Sequence, residues 1–212
     1  MPTHETADGP EGPHGSPKQT KRILGVIPNF RAVSADTKLP PQSVKEKFTS
    51  AAQQTFDYSD LPLVLVLAGV GQAENSVPQF HQGAAGYARY FWHNAADQID
   101  ENFWVQAIIP SITHEDSRYY TLGRGGIPHR ALYAFDRTLI TRSDRGGNTF
   151  NISEVVGSGA AAGISYLYYP NGEKTWTKTG QRWLENGIID GATYVFQEFW
   201  PDINKAIFHQ KD

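Results

Sequence analysis

The chain has 212 residues, with 19 Lys and Arg against 22 Asp and Glu, a formal charge of −3. That balance argues against a general nucleic-acid binder, which carries a clear basic excess. The lack of cysteine rules out disulfides, thiolate metal sites and cysteine nucleophiles. The length suits one domain. Its five Trp, ten Tyr and eleven Phe carry more ring surface than water tolerates, so many should be buried or lie at an interface.

Residues 1–20 are rich in Pro, Gly, His and charge, lack the apolar stretch of a secretory signal, and read as a disordered polar leader. Residues 21–40 read as an extended arm packed on the body, because Pro28 interrupts any regular element there. The remainder, 41–212, reads as a single helical domain. Ser43–Gln54 is a first helix with Val44 and Phe48 on one side, and Leu63–Ala73 is a short helix or buried strand.

Gln82–Val105 has a firm helical period. Ala84, Ala88, Phe91, Ala95 and Ile99 form the apolar face, which is expected to point inward. Arg89, His93, Asp97 and Glu101 form a polar stripe opposite, expected in solvent. Pro128–Thr141 repeats this, with Leu132, Phe135 and Leu139 inward and Arg130 and Arg137 outward. Asn151 and Glu154 have capping-box spacing ahead of Ile152–Tyr168, a segment apolar or small all round and expected to be a central buried helix. Thr179–Trp200 is the last long helix, with Leu184, Ile188, Gly191, Val195 and Phe199 inward; Arg182, Asn186, Asp190 and Gln197 lie outward, and Pro201 ends or kinks it.

No alternating strand pairs stand out. The expected fold is all-α, a compact bundle of about five to six helices with Gly/Ala-rich close packing. GxxxG spacings at Gly159–Gly163 and Gly187–Gly191 fit tight helix crossings. No segment reaches the ~20 apolar residues of a spanning helix.

Between Ser117 and Phe150 lie six of the ten arginines and none of the nine lysines. Arg118, Arg124, Arg142 and Arg145 could frame an anion pocket, with backbone N–H groups of Gly125–Gly126 and Gly146–Gly147 exposed to it. The plainer reading is internal pairing, Arg118 with Glu115 or Asp116 and Arg145 with Glu154 or Asp144. His114, Glu115 and Asp116 offer acid–base groups, but three adjacent residues converge poorly on one metal, and a helix-to-loop junction explains them more simply. Asp136 and Glu198 fall on apolar helix faces, where a carboxylate needs a partner or a raised pKa. With one arginine they would form a buried polar cluster. His114, Glu115, Asp136 and Glu198 are therefore the candidates for acid–base roles. No Walker, GxGxxG, HExxH or GxSxG motif is present, so no cofactor or metal is expected.

Ile27-Pro28-Asn29-Phe30, His81–Tyr87, His114–Tyr120 and Phe199–Ile203 resemble motifs of an uncharacterised family of exported bacterial cell-envelope proteins, over about Lys21 to Phe208. The resemblance implies a cell-envelope or periplasmic location and assigns no activity. Members carry a signal peptide ahead of a polar linker, whereas here Met1 leads directly into the linker, which leaves the cytoplasm open. The combined expectation is a non-catalytic envelope protein binding a partner or an anionic lipid surface. The alternative is a hydrolase or transferase holding a phosphorylated or carboxylated substrate in an Arg-lined pocket.

Overall fold

The computed structural model describes residues 18–25, 27–35, 37–58 and 60–208; the leader up to position 17 lies outside them. Helix α1 (Val44–Thr55) starts at Ser43, where a reciprocal capping box joins Ser43 and Glu46. Helix α2 (Asp60–Glu74) packs against α3 (Gly83–Phe103). The second apolar stretch is thus a helix. From α3 the backbone continues through a π-turn (Trp104–Ile108) into the short α4 (Ile109–Thr113). His114 closes α4 in the left-handed conformation (φ 58°), turning the chain into the strand β4 (Glu115–Asp116).

The arm contributes β1 (Arg22–Ile23), β2 (Ile27–Pro28) and β3 (Ala32–Val33). Strand β3 runs parallel to β5 (Tyr119–Tyr120), which fastens the arm to the body. After α5 (Ile127–Asp136) the chain forms β6 (Ile140–Ser143) and β7 (Asn148–Phe150), a small antiparallel sheet in the order β4-β6-β7. The expected helix to Thr141 therefore stops early, and the strands that no alternation announced are two to four residues long. A second π-turn (Ser153–Gly157) leads into α6 (Ser158–Tyr168), and α7 (Trp176–Phe208) packs on both α5 and α6. The whole is a compact, mostly helical bundle.

Pro201 lies inside α7 and does not end it. A proline there frees the carbonyl four residues back, at Gln197. That carbonyl accepts a 2.7 Å hydrogen bond from Gln19 Nε2, so the last residues of the expected leader are held against the body and complete the helix's hydrogen bonding from outside. Trp200 Nε1 donates to Thr20 Oγ1 at 2.7 Å beside it.

Close packing is present, but only one glycine of each GxxxG pair takes part in it, Gly159 beside Trp183 and Gly191 beside Phe135. A Cβ on Gly163 or Gly187 would meet nothing within 4 Å. The tight approach is at Gly157, where a Cβ would lie 3.1 Å from Val105 Cα, so the two π-turns touch backbone to backbone. Gly191 is filled by the Phe135 ring, 2.5 Å from where a Cβ would sit.

Parts of three helices face the other way from their expected orientation. On α3, His93 and Glu101 are buried, while Ala84, Ala88 and Ile99 are exposed. On α5, Leu132 is exposed and Arg130 is buried, Phe135 is partly exposed with its ring edge against Gly191, and Leu139 just past the helix end is exposed. On α7, Leu184 and Ile188 are exposed and Gln197 is buried, while Gly191 and Glu198 are buried as their place on the inner stripe implied. The α6 segment is not buried all round either, since Ile152, Val156 and Leu167 are exposed. Among the described residues, buried polar side chains outnumber buried apolar ones. One apolar cluster remains, built from Ala68, Val77, Phe80, Tyr90 and Tyr169.

Candidate functional site

Two arginines of the arginine-rich centre, Arg118 and Arg130, are held in separate, closed ion pairs. Asp116 accepts from Arg118 Nε (2.8 Å), Arg118 Nη2 (2.7 Å) and the Tyr120 hydroxyl (2.7 Å). Burial pushes the Asp116 carboxyl up, yet these donors outweigh it and hold the group below its ordinary value. Glu198 is fully buried and accepts from Tyr119 Oη (2.7 Å), the Leu122 and Gly123 N–H groups (2.9 Å each) and Arg130 Nε (2.8 Å). Arg130 also bridges to Asp202 at 2.6 Å. The guanidinium thereby fastens α5 to α7.

The other expected members lie elsewhere. Glu115 is buried and accepts the Ile152 and Ser153 N–H groups (3.0 and 2.9 Å) and the Ser153 hydroxyl, a carboxylate capping the helix that begins there. His114 is exposed at its turn. Asp136 is exposed at the end of α5, contrary to expectation, because the apolar face it shares with Leu132 and Leu139 points outward. It forms no cluster with Glu198. Arg142 stacks over the Tyr120 ring at 4.0 Å, and Arg124 and Arg145 are exposed. Arg145 does not pair as expected. Asp144 binds the buried Lys47 Nζ instead, at 2.7 Å, and Glu154 points toward α7.

Of the four candidate anion-binding arginines, only Arg118 lines the small cavity in this region, alongside Arg31 and Arg137. Its volume is about 20 Å³, room for roughly one water molecule and no substrate.

The chemically unusual groups sit on the inward polar faces. Asp97 and Glu101 come from successive turns of α3, Asp190 from α7, and Glu154 from the second π-turn. Such π-turns recur at functional sites because they redirect one side chain out of helical register. Glu154 is pushed well above its ordinary range by burial, then by Asp190 and Glu101, with Arg31 opposing. Asp190 is raised by burial, while the neighbouring Glu154 and the charge of Arg31 pull it back.

Glu101 is pushed up to about 9 by burial and by Asp190, with Asp97 and Asp100 adding and Asn186 opposing. Burial also lifts Asp100 to about 6, against a hydrogen bond from Trp104 Nε1. Asp97 accepts hydrogen bonds from the Tyr168 and Tyr169 hydroxyls and is still raised, because burial outweighs them.

Asp97, Glu101 and Asp190 line a cavity of about 370 Å³ between α2, α3, α6 and α7. Its charged wall continues through Glu173, which pairs with Arg182 (3.3 Å) and Lys178 (3.6 Å). Arg182 stacks over the Tyr169 ring at 3.7 Å. Among the described residues no group of three His, Cys, Asp or Glu side chains is arranged to hold a metal ion.

No family model, curated protein or solved structure matches this chain. The site therefore rests on geometry alone. Sequence reasoning placed Asp97, Glu101 and Asp190 on solvated helix faces and read Glu154 as a cap residue; Lys47 and Arg31 drew no notice. The signal was present in the i, i+4 spacing of Asp97–Glu101 and Asn186–Asp190–Tyr194. Spacing shows that polar groups share a face and is silent on which way that face turns.

Proposed function

We propose that this chain is a non-catalytic, envelope-associated helical protein that lays its outward apolar faces against an anionic lipid surface. The single observation behind this reading is the reversed polarity of parts of α3, α5 and α7. Leu132, Phe135, Leu184 and Ile188 are exposed around the Phe135–Gly191 contact, while charged groups of the same helices are buried. Large contiguous apolar exposure marks an interaction surface, and water disfavours it otherwise. Trp92, Trp176 and Trp183 are also exposed, as expected of rings placed at a lipid headgroup level.

Among the described residues no helix is long and apolar enough to cross a membrane, so the contact is read as immersion of helix faces rather than a span. A non-catalytic role is supported by the paired state of Arg118 and Arg130 and by the one-water size of the cavity beside Arg118.

Co-sedimentation with anionic vesicles at low salt, together with fractionation of native cells, tests the proposal. Pelleting with vesicles and recovery in the membrane fraction are expected. Protein left entirely in the supernatant and in the soluble cytoplasmic fraction would end it.

A further inference from the structure

We propose that the 370 Å³ cavity between α2, α3, α6 and α7 binds a small organic cation, its ammonium or guanidinium group held by Glu101 and Asp190. The inference is independent of lipid association.

Three observations carry it. First, Glu101 is only 9 % exposed, lines the cavity, and its Oε1 has no hydrogen-bond partner. A buried carboxyl oxygen without a donor costs free energy, and a ligand N–H entering the cavity would satisfy it.

Second, the charges facing this space sum to negative. Helix α2 supplies Glu74, and α3 supplies Asp97 and Glu101. The turn before α7 supplies Glu173, and α7 itself supplies Lys178, Arg182, Glu185 and Asp190; α6 contributes only small neutral residues. Lys178 and Arg182 are both occupied by Glu173, and Asp97 by two tyrosine hydroxyls. Arg182 Nη1 has no hydrogen-bond partner and Arg31 acts on Asp190, so these are the two cations a ligand would compete with; Glu74, Glu101, Glu185 and Asp190 outnumber them.

Third, the remaining wall suits an organic body rather than a bare ion. Leu67, Val70, Val77 and Ile189 offer apolar surface, and Tyr90 lines the cavity as well. The volume falls within the range of small-molecule pockets. No metal-holding trio exists among the described residues.

Binding is coupled to proton release. Buried as it is, Glu101 holds its proton at neutral pH. When the ammonium enters, the Glu101 O–H bond breaks, the proton leaves to solvent, and the resulting carboxylate accepts from the ligand N–H. One cation enters for one proton lost, so the charge of the cavity is unchanged. Affinity consequently rises with pH until Glu101 ionises in the free protein.

The test uses the full-length protein, n-butylamine as probe and n-butanol as uncharged control, followed by titration calorimetry in two buffers of different ionisation enthalpy. Amine affinity should rise about tenfold per pH unit between about pH 6 and pH 8, with release of close to one proton. Glu101→Gln should weaken amine binding at least about tenfold and abolish the proton release. Equal binding of the alcohol, a pH-independent amine affinity, or no amine binding at millimolar concentration would each overturn the proposal. If Glu101→Gln fails to fold by circular dichroism, the wild-type pH slope and proton count decide alone.

Discussion

Replacing Glu101 by Gln tests the buried carboxyl cluster without any ligand. The ordinary value for this carboxyl is 4.5, and in the folded chain it lies at about 9. Between those values the folded state holds a proton that the unfolded chain has lost. Stability is therefore fully present below the unfolded value and falls as pH rises toward the folded one. Each pH unit in the window costs about 1.4 kcal/mol, so wild-type protein should lose about 2–3 kcal/mol between about pH 6 and pH 8 from this group.

Glutamine mimics the protonated carboxyl in size and cannot ionise. Glu101→Gln should remove that slope and be the more stable protein at the upper pH. Urea denaturation at both values, in one fixed medium, measures the difference. Glu154 and Asp190 stay in place in both proteins, but they are coupled to Glu101, so the difference reads the loss of its charge together with their response to it. The reasoning fails if wild-type and variant stabilities change in parallel with pH, because Glu101 would then ionise alike in the folded and unfolded chains.

Other consequences concern packing and the surface. Gly157→Ala places a methyl group against the Trp104–Val105 backbone and should cost about 1–3 kcal/mol, seen as a melting temperature lowered by several degrees. Arg130→Met leaves Glu198 buried without its charge partner, which should cost about 3–5 kcal/mol by denaturant titration. The same change combined with Glu198→Gln should recover part of that loss. Changing Leu132, Leu184 and Ile188 together to Gln should leave the folded state within about 0.5 kcal/mol per site of wild type while vesicle pelleting drops.

How much of this was legible in the residues varies by level. The Ser43–Glu46 box opened α1 where expected, and the helical periods of α3, α5, α6 and α7 announced real helices. The pairing of Arg118 with Asp116 was likewise readable, because two residues of one short extended segment are within reach of each other whatever the rest of the chain does. Pro201 misled, since the carbonyl it frees is satisfied by Gln19, distant in sequence and brought close only by the fold. Asp136 misled for another reason. Its neighbours are apolar, but that face of α5 looks outward.

What the sequence by itself determined was local: the helices, their caps, and which side chains share a face. Periodicity fixes those because they depend on backbone geometry over a few residues. Which face turns inward was decided only by the tertiary structure. The choice depends on what each neighbouring helix offers and on what medium lies outside, and no single segment encodes either. The polar faces of α3 and α7 both line the cavity that holds Glu101 and Asp190, and apolar side chains such as Leu132, Leu184 and Ile188 are left outward. The carboxyl cavity, the raised carboxyls of Glu154 and Asp190, and the apolar exterior all follow from that one orientation.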